Sequence, residues 1–283
     1  MIITDWEGIE HTHHRLYTAD AREVLWKDPD LLDRPAHLVV TSPPYWNIKD
    51  YGFNGQIGYK QSYQEYLGEL TRIWRGCWNV LHNGCKMVVN VGDQFLRASE
   101  NEGRYEVVPI HADIIQDCRI NGFIFLGNII WNKITTTKTS GGGTWMGSIY
   151  HPRDGYVTYE HEYILIFKKP GKAPKATEQQ RLRSKLTKEQ RSKWFRGLWN
   201  DIPPVRQIGH VAMFPLELPT RLIQMFSFAG ETILDPFAGS GTTMEAALDT
   251  GRNSIGIEMD NECLPMVKRR MEKSYVEKKA LGK

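Results

Sequence analysis

The stretch Thr41-Ser42-Pro43-Pro44-Tyr45-Trp46 gathers a hydroxyl, a rigid turn and two aromatic faces. Consecutive prolines fix φ and remove two N–H donors, so the carbonyls of the turn can point into a pocket. Ser42 adds an oxygen that can accept a hydrogen bond, and Tyr45 and Trp46 add flat surfaces. This set suits an amino group carried on an aromatic ring. The lone pair of such a nitrogen is delocalised into the ring, which makes it a poor nucleophile. Accepting its two N–H groups at Ser42 Oγ and the Pro43 carbonyl favours a more tetrahedral nitrogen, and Tyr45 can stack on the ring. Taken alone, Ser-Pro-Pro favours the plainer alternative, a proline turn packed by aromatic residues.

A second segment runs Thr232-Ile233-Leu234-Asp235-Pro236-Phe237-Ala238-Gly239-Ser240-Gly241-Thr242-Thr243. An apolar strand enters a glycine turn, where a ligand can approach the backbone closely, and a helix over Met244 to Leu248 follows. Ser254-Ile255-Gly256-Ile257 then ends at Glu258, 23 residues after Asp235. An acidic side chain at about that distance commonly binds ribose hydroxyls. A dinucleotide fingerprint would need a third glycine where Met244 stands, and a P-loop would need a lysine after Gly241. Nothing here neutralises a pyrophosphate, so a nucleoside without phosphates fits better. S-adenosylmethionine is one: Asp235 suits its cationic end and Glu258 its ribose diol. A purely structural glycine turn is the alternative.

The two segments resemble motif IV (Ser42 to Tyr45) and motif I (Asp235 to Gly241) of the amino-group DNA methyltransferases. Their order, catalytic motif first and cofactor motif last, resembles the β group of that family. Tyr17-Thr18-Ala19-Asp20-Ala21 is similar to the segment before the catalytic strand, where Asp20 would face the adenine of the cofactor. Lys86 to Asp93 resembles the next core strand, and His161-Glu162-Tyr163 to Lys169 the strand before the recognition region. His210 to Pro215 with Arg221-Leu222-Ile223 resembles the motif before the cofactor strand, departing at four positions from His-Pro-Thr-Gln-Lys-Pro.

The resemblance implies catalysis by Ser42, Pro43, Pro44 and Tyr45. It implies cofactor contacts from Asp20, Ala21, His210, Pro215, Asp235, Pro236, Phe237, Gly239, Ser240, Gly241, Thr242, Glu258 and Met259. Ser at the head of the catalytic motif resembles the N4-cytosine enzymes, whereas Asp is commoner in N6-adenine enzymes. The expected reaction is methylation of cytosine N4 in double-stranded DNA, with adenine N6 as the alternative. A cognate restriction endonuclease and a homodimer are further partners to consider. Related protein-glutamine and RNA methyltransferases usually carry Asn- or Asp-Pro-Pro-Tyr and place the cofactor motif first. No cysteine has the Pro-Cys context of 5-methylcytosine chemistry, which needs a thiolate nucleophile. A different class, a DNA-binding protein on a retired methyltransferase fold, is disfavoured because Ser42, Tyr45, Asp235 and Glu258 are all present.

These residues need a scaffold. Short apolar runs over His37–Val40, Lys86–Val91, Phe123–Leu126 with Ile129-Ile130, Tyr163–Phe167, Thr232–Leu234 and Ser254–Ile257 read as buried parallel strands. Helical spacing separates many of them, over Tyr63 to Leu81, Val107 to Asn121 and Pro219 to Phe228. The expectation is a doubly wound, mostly parallel α/β fold, a seven-stranded Rossmann-like methyltransferase sheet with a small recognition insert. Residues 1–167 and 208–283 would form the methyltransferase domain and 168–207 the insert.

That insert carries twelve Lys or Arg against three acidic residues, interleaved with Trp194, Phe195 and Trp199. Arg191, Lys193 and Arg196 are its candidate DNA contacts, joined by Trp46 and by Lys138 in the Thr135–Gly147 loop. A solvated basic helix is nearly as good a reading. Lys268 to Lys283 reads as a basic, fraying helix.

The remaining composition sets limits. A chain of 283 residues can bury a large core, and a net charge of +3 only weakly favours a nucleic-acid partner. Cys77, Cys85, Cys118 and Cys263 have no CxxC spacing, so reduced thiols are expected rather than zinc. His11, His13 and His14 are expected in a solvated polar segment, not at a metal. The start of the chain lacks a signal-peptide pattern, and no apolar run reaches the ~20 residues needed to span a bilayer. A cytoplasmic protein without membrane partners is the expectation.

Overall fold

The computed structural model describes residues 1–8, 11–47, 50, 52, 55–96, 98–99, 101–133, 160–205 and 214–280. The Thr135–Gly147 segment with Lys138, and His210 to Met213, lie outside the described residues.

The chain opens with a hairpin, β1 (Ile2–Glu7) and β2 (His13–Thr18), then α1 (Ala21–Lys27), α2 (Pro29–Asp33) and β3 (Ala36–Thr41). A long helix α3 (Tyr63–Val80) leads into β4 (Leu81–Val91), the short pair β5 (Gln94–Leu96) and β6 (Glu106–Val108), and α4 (Ile110–Ile120). Next come β7 (Ile124–Asn132), β8 (His161–Lys168), α5 (Glu178–Arg183), α6 (Lys188–Trp194) and β9 (Leu198–Trp199). The last part is α7 (Glu217–Phe226), β10 (Thr232–Asp235), α8 (Thr242–Asp249), β11 (Asn253–Glu258) and α9 (Leu264–Ala280). Capping boxes start three of the helices: Ser62 with Glu65 at α3, Thr177 with Gln180 at α5, and Thr187 with Gln190 at α6.

The main sheet has the order β1-β2-β11-β10-β3-β4-β8-β7-β9. Strands β2, β11, β10, β3 and β4 run parallel, and β8 is antiparallel to both its neighbours. The expected seven strands are the run from β2 to β7. Two more extend its edges: β1, antiparallel to β2, and two-residue β9, parallel to β7.

Side-chain alternation shows why the sheet is wound on both faces. Val39, Met87, Val89, Leu165, Phe167 and Leu234 pack with α1, α3 and α4. Their neighbours Leu38, Val40, Val88, Ile164 and Ile233 pack on the opposite face, against Leu218, Leu222 and Ala247 of α7 and α8. Strands with both faces buried give unbroken apolar runs.

The N-terminal histidines correct one expectation. His11 and His13 are exposed, but His14 is buried within β2. Its Nδ1 shares a hydrogen bond with Ser254 Oγ at 2.8 Å, and its Nε2 one with Thr12 Oγ1 at 3.0 Å. Burial lowers its pKa to about 4, so the ring is neutral at pH 7.

The basic segment is docked on the sheet. Trp194 and Trp199 are buried in the α7 face of the core, so two of its three aromatics serve packing, while Phe195 is 52% exposed. Trp131 Nε1 donates to Ile202 O at 2.8 Å and Trp199 Nε1 to Trp194 O at 2.9 Å. Arg221 of α7 grips Asp201 with both terminal nitrogens at 3.0 and 2.8 Å and lies over the Trp199 ring.

Candidate active site

The carboxyl ends of β3, β10 and β11 open on one cavity, where crevices of open α/β sheets form. Ser42, Pro43, Pro44 and Tyr45 line it from one side; Pro236, Phe237, Gly239, Ser240, Thr242, Glu258 and Met259 line it from the other. Asp20 and Ala21 close a third side. The two motifs therefore share a single site, although Thr41 and Asp235 are 194 residues apart in sequence.

Asp235 is what joins them. Its Oδ1 accepts from Thr41 Oγ1 at 2.6 Å and from Phe237 N at 3.0 Å, and its Oδ2 from Thr243 Oγ1 at 2.6 Å. The side chain is buried and lies behind the cavity wall. Burial raises its pKa, opposed by the three donors. This corrects the expectation that Asp235 faces the cationic end of a ligand: its oxygens are turned to the protein, and it ties the catalytic strand to the glycine turn.

Glu258 does face the cavity. Gly239 N donates to its Oε2 at 2.7 Å and Asp260 N to its Oε1 at 2.8 Å. Burial raises its pKa while both backbone donors oppose the rise. A carboxylate has about four lone-pair sites, so each oxygen can still accept from a ligand hydroxyl. Asp20 caps α1 through Arg22 N and pairs with the Arg22 guanidinium at 2.6 Å. Arg22 also binds Glu69 at 2.8 Å and the Gly55 carbonyl at 2.8 Å, so its charge is already spent. A nucleoside lacking phosphates fits these donors and acceptors: acidic groups for hydroxyls, apolar Phe237 and Ile257 beside them, and a glycine at the closest backbone.

Two other motif residues, Gly241 and Pro215, are not in the cavity wall. Gly241 has φ of 81° and caps α8; a Cβ there would meet Val267 Cγ1 at 3.0 Å. Pro215 lies outside the cavity wall and its carbonyl accepts from Leu218 N at the start of α7. His210 lies outside the described residues.

On the catalytic side the Pro44 carbonyl is taken by Tyr66 Oη at 2.9 Å, which leaves the Pro43 carbonyl as the candidate acceptor. Burial, then the Glu162 charge, hold the pKa of the Tyr45 hydroxyl well above the usual range. Trp46 does not line the cavity: its indole N–H donates to Gln61 O at 2.8 Å and its ring packs on Tyr63. Asn90, Lys133, Glu162 and Phe214 line the cavity and were not among the candidates. A polar Asn90 inside the apolar Met87–Val91 run was the available signal.

Of the basic candidates, Arg191 and Arg196 are exposed, and Lys193 pairs with Asp201 at 2.9 Å. Among the described residues no cluster of three or more His, Cys, Asp or Glu could hold a metal, and no helix is long and apolar enough to cross a membrane.

Comparison with known proteins agrees with this geometry. The chain is 33% identical over 302 residues to the type II methyltransferase M.MjaI of Methanocaldococcus jannaschii, covering 96% of this chain and 94% of that one. It is similar to TTHA0409 of Thermus thermophilus, solved in complex with S-adenosyl-L-methionine, at 40% identity and a TM-score of 0.75 over 93% and 94% of the two chains. PvuII DNA methyltransferase, cytosine-N4-specific, shares the fold at 20% identity and a TM-score of 0.62, over 92% of this chain and 89% of that one. The sequence profile of the DNA methylases matches residues 36–269, and with it the shared cavity, so this chain belongs to the DNA methylase family.

Proposed function

We propose that this DNA methyltransferase transfers a methyl group from S-adenosyl-L-methionine to the exocyclic amino group of a flipped base, cytosine N4 in preference to adenine N6. S-adenosyl-L-methionine is the cofactor; when bound it supplies a sulfonium methyl, an electrophile that carries its own leaving group. Glu258 would hold its ribose, with Asp20 and Phe237 on the walls around the base. The observation that carries the reading is the opening of the Ser42–Tyr45 turn and the Gly239–Thr242 turn on the same cavity.

Ser42 and the Pro43 carbonyl accept the two amino hydrogens and hold the nitrogen in line for transfer, which is catalysis by positioning. Pairing inside the duplex would block that approach, so the base must leave the stack. The serine at the head of the motif supports cytosine. The segment 168–207 is the proposed recognition element, with Arg191 and Arg196 exposed for phosphate contacts. A cognate restriction endonuclease is the proposed functional partner, and a homodimer the proposed assembly.

The test is to incubate the protein with labelled cofactor and mixed-sequence duplex DNA, digest the product to nucleosides and identify the labelled one. N4-methylcytosine is expected. N6-methyladenine would replace the base assignment, and no labelled nucleoside would refute the transfer.

A further inference from the structure

The cavity carries an ion pair to which neither motif gives a role. Glu162 of β8 and Lys133, one residue beyond β7, both line it, and Lys133 Nζ donates to Glu162 Oε1 at 2.5 Å. The Glu162 side chain is only 8% exposed, that of Lys133 34%. The carboxylate is thus the anchor and the cation the more accessible end. Asn90 Nδ2 donates to the other carboxylate oxygen at 2.7 Å.

A carboxylate only accepts, so the Asn90 amide must present its nitrogen to Glu162. Its oxygen is left buried without a hydrogen-bond partner. An orphaned buried acceptor is destabilising, and a buried ion pair adds little stability over a packed apolar pair. The trio is therefore a poor stability device. What it does achieve is to fix one ammonium in the cavity wall. An ammonium carries three protons. Glu162 takes one, and among the described residues no second acceptor meets Nζ. Two donors remain for a ligand.

The sheet sets where those donors fall. Strands β3, β4 and β8 are consecutive neighbours. Ser42, just past β3, and Glu162 on β8 therefore stand two strand spacings apart, about 10 Å. That is about the span of a pyrimidine ring with a hydrogen bond of about 2.9 Å at each end. The Watson–Crick edge of cytosine carries its amino group at one end and the O2 carbonyl at the other, with N3 between. Adenine carries its amino group and N1, and then a C–H that accepts nothing. A site that grips the amino group and places a donor at the far end selects the base with an acceptor there.

We propose that Lys133 is the specificity-determining donor of the site, its ammonium donating to O2 of the flipped cytosine while Ser42 and the Pro43 carbonyl hold N4. Glu162 and Asn90 are positioning residues for that ammonium. The inference rests on the amino-group transfer proposed above and gives its base preference a support independent of the serine.

The test is a cycle between protein and substrate. One duplex carries cytosine at the methylated position. The other carries there the C-nucleoside analogue that keeps the amino group and N3 but has C–H in place of the C2 carbonyl. Single-turnover transfer at saturating cofactor, followed against DNA concentration, gives the ratio of the two efficiencies. Lys133→Met should lower that ratio by about ten- to hundredfold, the loss expected of one charge-assisted hydrogen bond. Any difference in intrinsic reactivity between the two amino groups cancels in the cycle. Lys133→Met combined with Glu162→Gln leaves no buried charge unpaired and should show the same fall. Glu162→Gln and Asn90→Ala, which keep the lysine but loosen it, should each lower the ratio by a smaller factor, a change that loss of stability alone would not cause. Circular dichroism and calorimetric cofactor affinity matching wild type certify the fold of each variant.

An unchanged ratio in both Lys133 variants would overturn the assignment while wild-type transfer to cytosine stands. Equal losses on the two duplexes, with a salt slope of DNA binding lowered by about 0.9, would overturn it by placing the ammonium on a phosphate. N6-methyladenine as the wild-type product would instead overturn the base assignment, and no methylated nucleoside the transfer reading itself.

Discussion

Replacing Thr41 by Val keeps the shape of the side chain and removes one donor from Asp235. The carboxylate would keep Thr243 Oγ1 and Phe237 N and lose the 2.6 Å bond that crosses from β10 to β3. A hydrogen bond to a charged group contributes about 1.5–3 kcal/mol, against about 0.5–1.5 kcal/mol for a neutral one. The expected loss at neutral pH is therefore about 1.5–3 kcal/mol, or a fall in Tm of roughly 3–12 °C.

The loss should also depend on pH. Burial raises the Asp235 pKa above its unfolded value, so the native state binds more protons through the window that starts near the unfolded pKa of about 3.9. In that window stability falls as pH rises. Removing the Thr41 donor raises the native pKa further, which extends the window upward and enlarges the penalty at neutral pH. Below it the carboxyl is protonated in both states, and only a neutral hydrogen bond is missing. Thermal unfolding of the cofactor-free protein, followed by circular dichroism at neutral pH and near pH 3, measures both. A loss at neutral pH no larger than the acid one would refute the assignment of Asp235 as a buried carboxylate sustained by these donors.

Three more outcomes are expected. Glu258→Gln should weaken S-adenosyl-L-methionine binding by about 1.5–3 kcal/mol, roughly ten- to hundredfold by calorimetry; unchanged affinity in the folded variant would put the ribose elsewhere. Ser42→Ala should cut the single-turnover rate far more than cofactor affinity, because it removes a contact to the reacting nitrogen; wild-type rates would reduce the motif to a rigid turn. Arg191→Gln with Arg196→Gln should flatten the salt dependence of DNA binding by about 0.9 per lost phosphate contact. An unchanged slope would move recognition away from α6, whereas Lys193, tied to Asp201, should matter less than either arginine.

The core of the fold was legible because β3, β4, β8, β10 and β11 are buried on both faces and write themselves as apolar runs. The N-terminal hairpin was not, since β2 mixes polar His13, His14 and Arg15 with buried Leu16 and Tyr17, and the hydrogen-bond partner of His14, Ser254, is 240 residues away. Strand β9 is too short to carry a period. The cavity's motif residues were legible as types, but their roles were not. Asp235 reads as a ligand contact until Thr41 and Thr243 occupy it. Glu162 and Lys133 are single polar residues on and beside strands β8 and β7, and only the antiparallel pairing of those strands brings their side chains together. The tryptophans of the basic segment read equally well as nucleic-acid platforms and as core, and burial assigns Trp194 and Trp199 to the core.

The pairing of β3 with β10 also sets a timetable for making the protein. Strand β3 is among the first core elements to leave the ribosome, but its neighbour on one side is 194 residues behind it. At about 5–20 residues per second, that neighbour arrives roughly 10–40 s later. Until then the apolar edge of β3 has β4 on one side and nothing on the other. The nascent chain therefore carries an open sheet edge through most of its synthesis, the state most exposed to wrong pairing and to chaperone capture. Only when β10 and β11 slot between β3 and β2 does the edge close, so the finished cavity is among the last things the chain acquires.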